Sequence, residues 1–408
     1  MFEIKTLIEL FDSCQIENVI AGLRFLPQKI VFVGFKQTMT KKRTDDLERF
    51  FAMRGINIDF EYEIVDRYDY DFIYNKLNQI IDRNQDCCFD LTGGKELVLT
   101  AMGAVSAIRD VPMLQFDVAS GNLIKVKNCE DVADIPKSSM TINEIVVLNG
   151  GCVVSNESDD FKWELNEDFK NDIDIMWRLC RQKCGLWNRQ CIAFGNFEKF
   201  GSIDKNLCVR ADLAKLKENR VFAFVDKKLL DKLEFHKLII GKELKNNVIT
   251  FRYKNNQVRQ CLTKAGNILE LYTYKNAKEI AEQIPGYYDD IDIGIYVDWD
   301  GIIHSDVCGE TDTRNEIDVM LMRDLIPIFI SCKNGEVHKE ALYELHAVAQ
   351  KFGGEYARKI LLTTYVSANP DSRKYILQRA HDMKITVVEG VEKMTTEEFK
   401  RILKSKAK

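Results

Sequence analysis

The chain has 408 residues, 46% of them hydrophobic and 30% charged, with a formal net charge of −5. That length and apolar content imply two or three domains, and the acidic balance excludes a protein coated in basic surface, so any nucleic-acid contact needs a local positive cleft. No apolar run approaches the roughly 18 residues of a membrane span, and the opening MFEIKTLIELFDS mixes charge into its apolar residues without a cleavage-site pattern. The expectation is a cytoplasmic chain with no membrane partner, its 12 cysteines reduced.

Residues 1–135 alternate strand-like and helix-like runs: strand Thr6–Phe11, helix Ile16–Phe25, strand Lys29–Phe35, helix Lys42–Gly55, strand Ile58–Val65, helix Asp71–Arg83, strand Cys87–Leu91, helix Glu96–Ile108 and strand Met113–Asp117. This rhythm predicts an α/β domain with a mostly parallel, Rossmann-like sheet. Ligands of such sheets bind beyond the carboxyl ends of the strands, which points to three turns, Phe11–Gln15, Gly34–Thr38 and Asp90–Lys95. Residues 136–258 read as a connector region of unassigned fold with one strand at 247–253. Its Cys180, Cys184 and Cys191 lack a paired CxxC, and an apolar helix face accounts for them better than zinc. Residues 259–408 predict a mixed α/β domain: a long helix Leu262–Glu282, an alternating strand IDIGIYVDWDG, a hairpin EIDVMLMRDLIPIFISCKNG, helix Val337–Phe352, strand Lys359–Tyr365, helix Asp371–Met383, strand Ile385–Val388 and helix Thr396–Lys404.

Two segments carry chemistry. In CCFDLTGGKELVLTAMGAVSA a buried strand turns through Thr92, Gly93, Gly94 and Lys95 into a helix. The glycines allow a tight turn and close approach of a ligand, and the N–H groups of a helix start favour an anion. The segment is neither a Walker A sequence nor Gly-x-Gly-x-x-Gly. Strand, Asp-Leu-Thr-Gly-Gly-Lys, helix, at the fourth strand of such a sheet, resembles the CARF domain (CRISPR-associated Rossmann fold), whose motif reads Asp-x-Thr-Gly-Gly-Thr-Lys; here Gly94 is followed directly by Lys95. The resemblance covers residues 1–130. It implies a two-fold dimer binding a cyclic oligoadenylate, with cyclic tetra-adenylate the expected ring. Thr92, Gly93, Gly94 and Lys95 would then contact the ligand, and Asp12, Ser13, Gln15, Gly34 and Phe35 would line the same pocket.

In Glu316–Asn334 both strands are apolar on both faces, where ionised groups are costly unless paired or bound to metal, yet Asp318 and Lys333 lie at one open end. A turn centred on Asp324–Leu325 places Asp318 opposite Ser331 and puts Ser331 and Lys333 on one face. The pattern resembles the PD-(D/E)xK nuclease fold, of the restriction-endonuclease-like class, with Ser331 where that family has an acid. The resemblance implies Mn2+ or Mg2+ held by Asp318 and by Glu270 of the preceding helix; either the Cys332 carbonyl and a migrated carboxylate, first of all Glu316 on the face of Asp318, compensate for Ser331, or the site is impaired. Glu340 and Glu344 are second candidates for the missing acid, and Asp298 and Asp300 further ones. Lys333 would orient or help deprotonate a water and stabilise the developing oxyanion. A CARF domain ahead of this nuclease fold resembles the CRISPR-associated nucleases gated by cyclic oligoadenylate, which cut DNA or RNA. The alternatives are a non-catalytic sensor binding nucleic acid or a partner, and a ring nuclease acting on its own ligand.

Overall fold

Continuously apolar runs such as Lys29–Phe35 suit strands covered on both faces, and a parallel sheet is what they build. The computed structural model describes residues 4–132, 136–154, 161–302 and 314–406. Its first part runs β1 (Thr6–Leu10), α1 (Glu17–Phe25), β2 (Lys29–Gly34), α2 (Lys41–Met53), β3 (Asp59–Ile64), α3 (Tyr70–Arg83), β4 (Cys87–Asp90), α4 (Glu96–Arg109), β5 (Met113–Asp117) and β6 (Asn122–Lys127). The strand order is β3-β2-β1-β4-β5-β6, parallel except for the antiparallel edge strand β6, which the sequence reading did not anticipate. The order reverses between β1 and β4, the switch point at which open α/β sheets hold ligands.

The chain continues through α5 (Ile142–Leu148) and β7 (Cys152–Val154). Then come α6 (Glu167–Cys180), α7 (Cys184–Phe200), β8 (Ser202–Ile203), β9 (Cys208–Asp212), α8 (Leu213–Glu218), α9 (Lys227–Phe235), β10 (Ile239–Lys245), β11 (Val248–Tyr253) and α10 (Asn256–Thr263). The strands among these form a second sheet, ordered β10-β11-β9-β8. The helical pattern through Cys180 and Cys184 is interrupted: Cys180 ends α6 and Cys184 opens α7.

The last part comprises α11 (Asn267–Gln283), β12 (Asp290–Asp298), β13 (Arg314–Arg323), β14 (Ile326–Lys333), α12 (Lys339–Gly353), β15 (Arg358–Thr363), α13 (Pro370–Asp382), β16 (Ile385–Glu389) and α14 (Thr396–Lys406). Its sheet is mixed, ordered β16-β15-β14-β13-β12-β7, so β7 is an edge strand borrowed from far upstream. The helix expected over Leu262–Glu282 is two helices, α10 and α11, broken at residues 264–266. The break lets α10 pack on α7 while α11 lies across β12, β13 and β14.

One apolar core runs from the N-terminal sheet, through α5, to the α12 side of the C-terminal sheet. Polar contacts stitch the same junction: Arg54 pairs with Glu144 at 2.9 Å, and the Lys42 ammonium donates to the carbonyls of Gly150 and Asp300. No described helix is long and apolar enough to cross a membrane.

Candidate functional site

The glycine turn sits at the switch point. Asp90 ends β4 beside Glu9 of β1, its register partner. The Asp90 carboxylate accepts from the Thr92 amide at 2.9 Å and from the Thr92 hydroxyl, which itself accepts from the Phe116 amide at 2.9 Å. Thr92 therefore ties β4 to β5 and fixes the turn's shape. Gly93 lies against the loop after β1, where a Cβ would stand 3.0 Å from that of Asp12 and 3.1 Å from a Glu17 oxygen. Gly94 has φ +151, and a Cβ there would meet Leu99 at 2.7 Å. Both positions need glycine, the first for close approach and the second for backbone and space. Lys95 is exposed at the start of α4, which has no side-chain cap.

The other residues expected in this pocket divide. Asp12 lies against Gly93, its carboxylate accepting from the Ser13 hydroxyl and the Cys14 amide, both at 3.0 Å, and Ser13 is exposed. Gln15 is buried, with its amide donating to the Arg43 carbonyl and its carbonyl accepting from Asn18. Gly34 packs between Met39 and Phe11. Phe35 is 5% exposed and belongs to the apolar layer with Ile73 and Val98. Gln15, Gly34 and Phe35 thus support the loops from beneath in this conformation.

Sequence reasoning missed what lies under and behind the turn. Glu9 and Asp90 are both fully buried. Burial first, and then Asp90, drives the Glu9 carboxyl far above its usual range, while burial raises Asp90 to about 6. One Glu9 oxygen and one Asp90 oxygen are buried without a hydrogen-bond partner, and two neighbouring buried carboxyls resist carrying charge together. A charge inside each of the apolar strands TLIEL and CCFD was the available signal. Glu17 carries a pKa raised to about 7, chiefly by burial, and accepts a 2.6 Å hydrogen bond from the Tyr356 hydroxyl. Tyr356 belongs to the short 3-10 turn that follows α12, so the start of α1 touches the C-terminal part directly.

The hairpin forms the second constellation. Its ladder pairs Val319 with Ile330 and Arg323 with Ile326 around Asp324, whose φ is +55, which is the register that sets Asp318 opposite Ser331. The regular pairing begins at Val319, and the Asp318 carboxylate caps its open end. A single oxygen accepts from the Cys332 amide at 2.7 Å, the Ser331 hydroxyl at 3.1 Å and the Lys333 ammonium at 3.3 Å. Burial works against the Lys333 charge, but attraction and hydrogen bonding to Asp318 outweigh it and leave its pKa raised. Glu270, in the first turn of α11, faces the same group: burial first, then Asp318 and Glu316, push its carboxyl up to about 8, with Lys333 opposing. Beyond Lys333, the Asn334 side-chain amide donates to the Asn188 side-chain carbonyl on α7 at 2.8 Å and to the Cys180 sulfur at 3.2 Å, while the Asn188 amide donates to the main-chain carbonyl of Asn334 at 2.5 Å. Of the thiols expected on an apolar face, Cys180 therefore packs behind the hairpin, while Cys191 lies against the Cys261 carbonyl.

Two cavities meet at these side chains. One of ≈ 930 Å³ lies on the α11 side and is bounded by Glu270, Glu316, Asp318 and Lys333. One of ≈ 290 Å³ lies toward α12, where Glu344 joins Glu316, Asp318, Ser331 and Lys333. Glu340 opens instead on a separate surface cleft with His338. Asp298 is consumed in holding its own turn, accepting from the amides of Asp300 and Gly301. The donors around the larger cavity are carboxylate oxygens, the type that Mg2+ and Mn2+ prefer, and the like charges crowding Glu270 are what a divalent cation would relieve. Among the described residues, no three His, Cys, Asp or Glu side chains stand close enough to hold a metal ion by themselves. Water and phosphate oxygens would complete a shell begun by Glu270 and Asp318, as is usual for Mg2+.

No family model matches the sequence, and no curated protein matches it. Solved structures do. Protein VC1899 from Vibrio cholerae superposes with a TM-score of 0.74 at 16% identity, covering 98% of each chain. Can2 from Sulfobacillus thermosulfidooxidans, solved in complex with cyclic tetra-adenylate, superposes with a TM-score of 0.70 at 16% identity, covering 100% of this chain and 98% of its own. At the level of fold the two-part resemblance read from the sequence therefore holds, and the chain shares the whole α/β architecture of VC1899 and Can2, with a mostly parallel Rossmann-like sheet leading and a mixed sheet following.

Proposed function

We propose that this protein is a metal-dependent nuclease of type III CRISPR antiviral defence, switched on by a cyclic oligoadenylate and cutting DNA or RNA. The observation that carries the reading is the meeting of Glu270, Asp318 and Lys333 at the end of one cleft. The ligand assignment rests on the Thr-Gly-Gly-Lys turn at the switch point and on a fold shared with a protein solved with cyclic tetra-adenylate. As a homodimer, two copies would present their turns to one ring. A resident Mn2+ or Mg2+ would supply a bound water of lowered pKa and neutralise phosphate charge. Glu270 and Asp318 would hold it, with Glu316 and the Cys332 carbonyl at the margin. Lys333, kept protonated by Asp318, suits stabilising charge on the phosphate better than taking a proton from water. Ser331 holds Asp318 in place by its 3.1 Å hydrogen bond. The test is to incubate plasmid, single-stranded DNA and RNA with protein and Mn2+, with and without cyclic tetra-adenylate. Cleavage only with the ring is expected; equal or absent cleavage in both arms overturns the reading.

The route between the sites would be α12. From Glu344 at the smaller cavity to Gly353, just before the turn that carries Tyr356, it spans about 15 Å. The Tyr356–Glu17 bond links the start of α1 to that turn, and Tyr356→Phe is expected to shift the half-activating ring concentration by up to about tenfold, the scale of one hydrogen bond. A cleavage titration identical to the wild type's would show that this contact carries no signal.

The absence of an acid at Ser331 favours a second reading, a sensor that binds nucleic acid without cutting it. Calorimetry separates the two: Mn2+ binding that depends on Asp318 supports the nuclease, and none supports the sensor.

A further inference from the structure

The larger cavity has a wall that the chemistry above does not use. Facing the carboxylates are Phe161, Lys162 and Trp163, from the extended segment that leads into α6. This wall is built and anchored. The Trp163 ring lies parallel to Phe169, at 5.8 Å and an interplanar angle of 2°, and Phe161 meets it edge-on at 4.8 Å. Phe169 is 1% exposed, so the platform rests on the core. The next residue is clamped to α10, where Gln257 accepts from the Glu164 amide at 2.7 Å and donates to its carbonyl at 3.3 Å. Trp163 itself stays partly exposed and lines the cavity. A large aromatic ring, held rigid and half-open beside an ammonium group, in a cleft that ends at phosphodiester-cleaving groups, has the composition of a base-stacking site. Base–aromatic stacking tolerates any base but requires one whose face is free, which a base inside a duplex does not offer.

We infer that Trp163 is a specificity-determining residue, stacking on an unpaired base of the substrate strand while Lys162 meets the adjoining phosphate. The inference rests on the nuclease reading for its substrate, and its test is arranged to fail separately. Full-length protein is titrated in calcium buffer, without the activating metal, against fluorescein-labelled oligothymidylate and against a labelled duplex of equal length. Trp163→Ala is expected to weaken oligothymidylate binding on the order of tenfold, to leave duplex binding unchanged, and to keep the wild-type thermal midpoint. Trp163→Phe is expected to restore most of the affinity. Of the other tryptophans, Trp177 and Trp187 are only 2% and 1% exposed and Trp299 packs on Phe352 away from this cavity, so quenching of tryptophan emission by the oligonucleotide should be present in the wild type and largely lost in Trp163→Phe. The inference is overturned if Trp163→Ala binds oligothymidylate as the wild type does, if it loses both ligands equally, or if no quenching occurs. Cleavage in Mn2+ separates the two proposals. A wild type that binds with quenching but never cuts refutes the nuclease and keeps the platform; a wild type that cuts with a KM unmoved by Trp163→Ala does the reverse.

Discussion

Asp318→Asn is expected to reduce ligand-dependent cleavage at least a hundredfold to a thousandfold, the scale seen when one charge-stabilising group is removed from an active site. The reason is the load on one atom. The Asp318 oxygen accepts from Ser331, Cys332 and Lys333 together, and in the proposed mechanism it also holds the metal. An amide in its place offers either a nitrogen that confronts three donors or an oxygen without the charge that Lys333 requires. Lys333 would lose the partner that keeps its pKa high. Its side chain is 36% exposed, against 16% for Asp318, so solvent discounts the stability loss to about 1 kcal/mol. Plasmid cleavage in Mn2+ with the ring gives the first quantity, and urea denaturation gives the second. Wild-type cleavage by Asp318→Asn would sink the mechanism outright.

Glu270→Gln should abolish Mn2+ binding and, unusually for a change at an active site, stabilise the metal-free protein at alkaline pH. The folded carboxyl has a pKa of about 8 against 4.5 for the ordinary group, with burial the largest cause and the neighbouring carboxylates next. Between those values the native state keeps a proton that the unfolded state has released, so stability falls as pH rises through this window. Above pH 8 the full cost is present; below about 4.5 it vanishes. Glutamine keeps the shape and removes the charge. Its thermal midpoint in EDTA should match the wild type near pH 5 and exceed it by several degrees at pH 9, for a difference on the order of a few kcal/mol. By the same linkage, wild-type Mn2+ affinity should tighten as pH rises toward 8, since the proton must leave before the metal binds. A pH-independent difference between the two proteins, or unaltered Mn2+ binding by Glu270→Gln, would remove Glu270 from the site.

Much of this was legible because it depends on near neighbours in sequence. Ile317–Met322 and Ile326–Cys332 are apolar on both faces, so the two-residue turn between them sets the register, and that register brings Asp318 to Ser331. The Thr-Gly-Gly-Lys turn is equally local, since strand, turn and helix follow without a gap and two glycines mark where backbone must pass close to Asp12 and Leu99. The middle of the chain was illegible for the complementary reason. Its β8 has two residues, too short for any periodicity, and β7 finds its partner β12 almost a domain away.

The sequence by itself determined the alternating α/β order of the first third, the glycine turn, and the hairpin that sets Asp318 beside Lys333, because strand period and turn chemistry act within a few residues. Only the tertiary structure decided the rest. It buried Gln15 and Phe35, set Asp12 against Gly93 and left Ser13 exposed, because the direction of a loop is set by what packs under it. It joined Glu9 to Asp90 and Glu17 to Tyr356 across long stretches of chain. And it turned Glu270, an ordinary helix glutamate in the sequence, into a carboxyl that holds its proton at neutral pH, because burial beside Asp318 and Glu316 makes a further negative charge costly there.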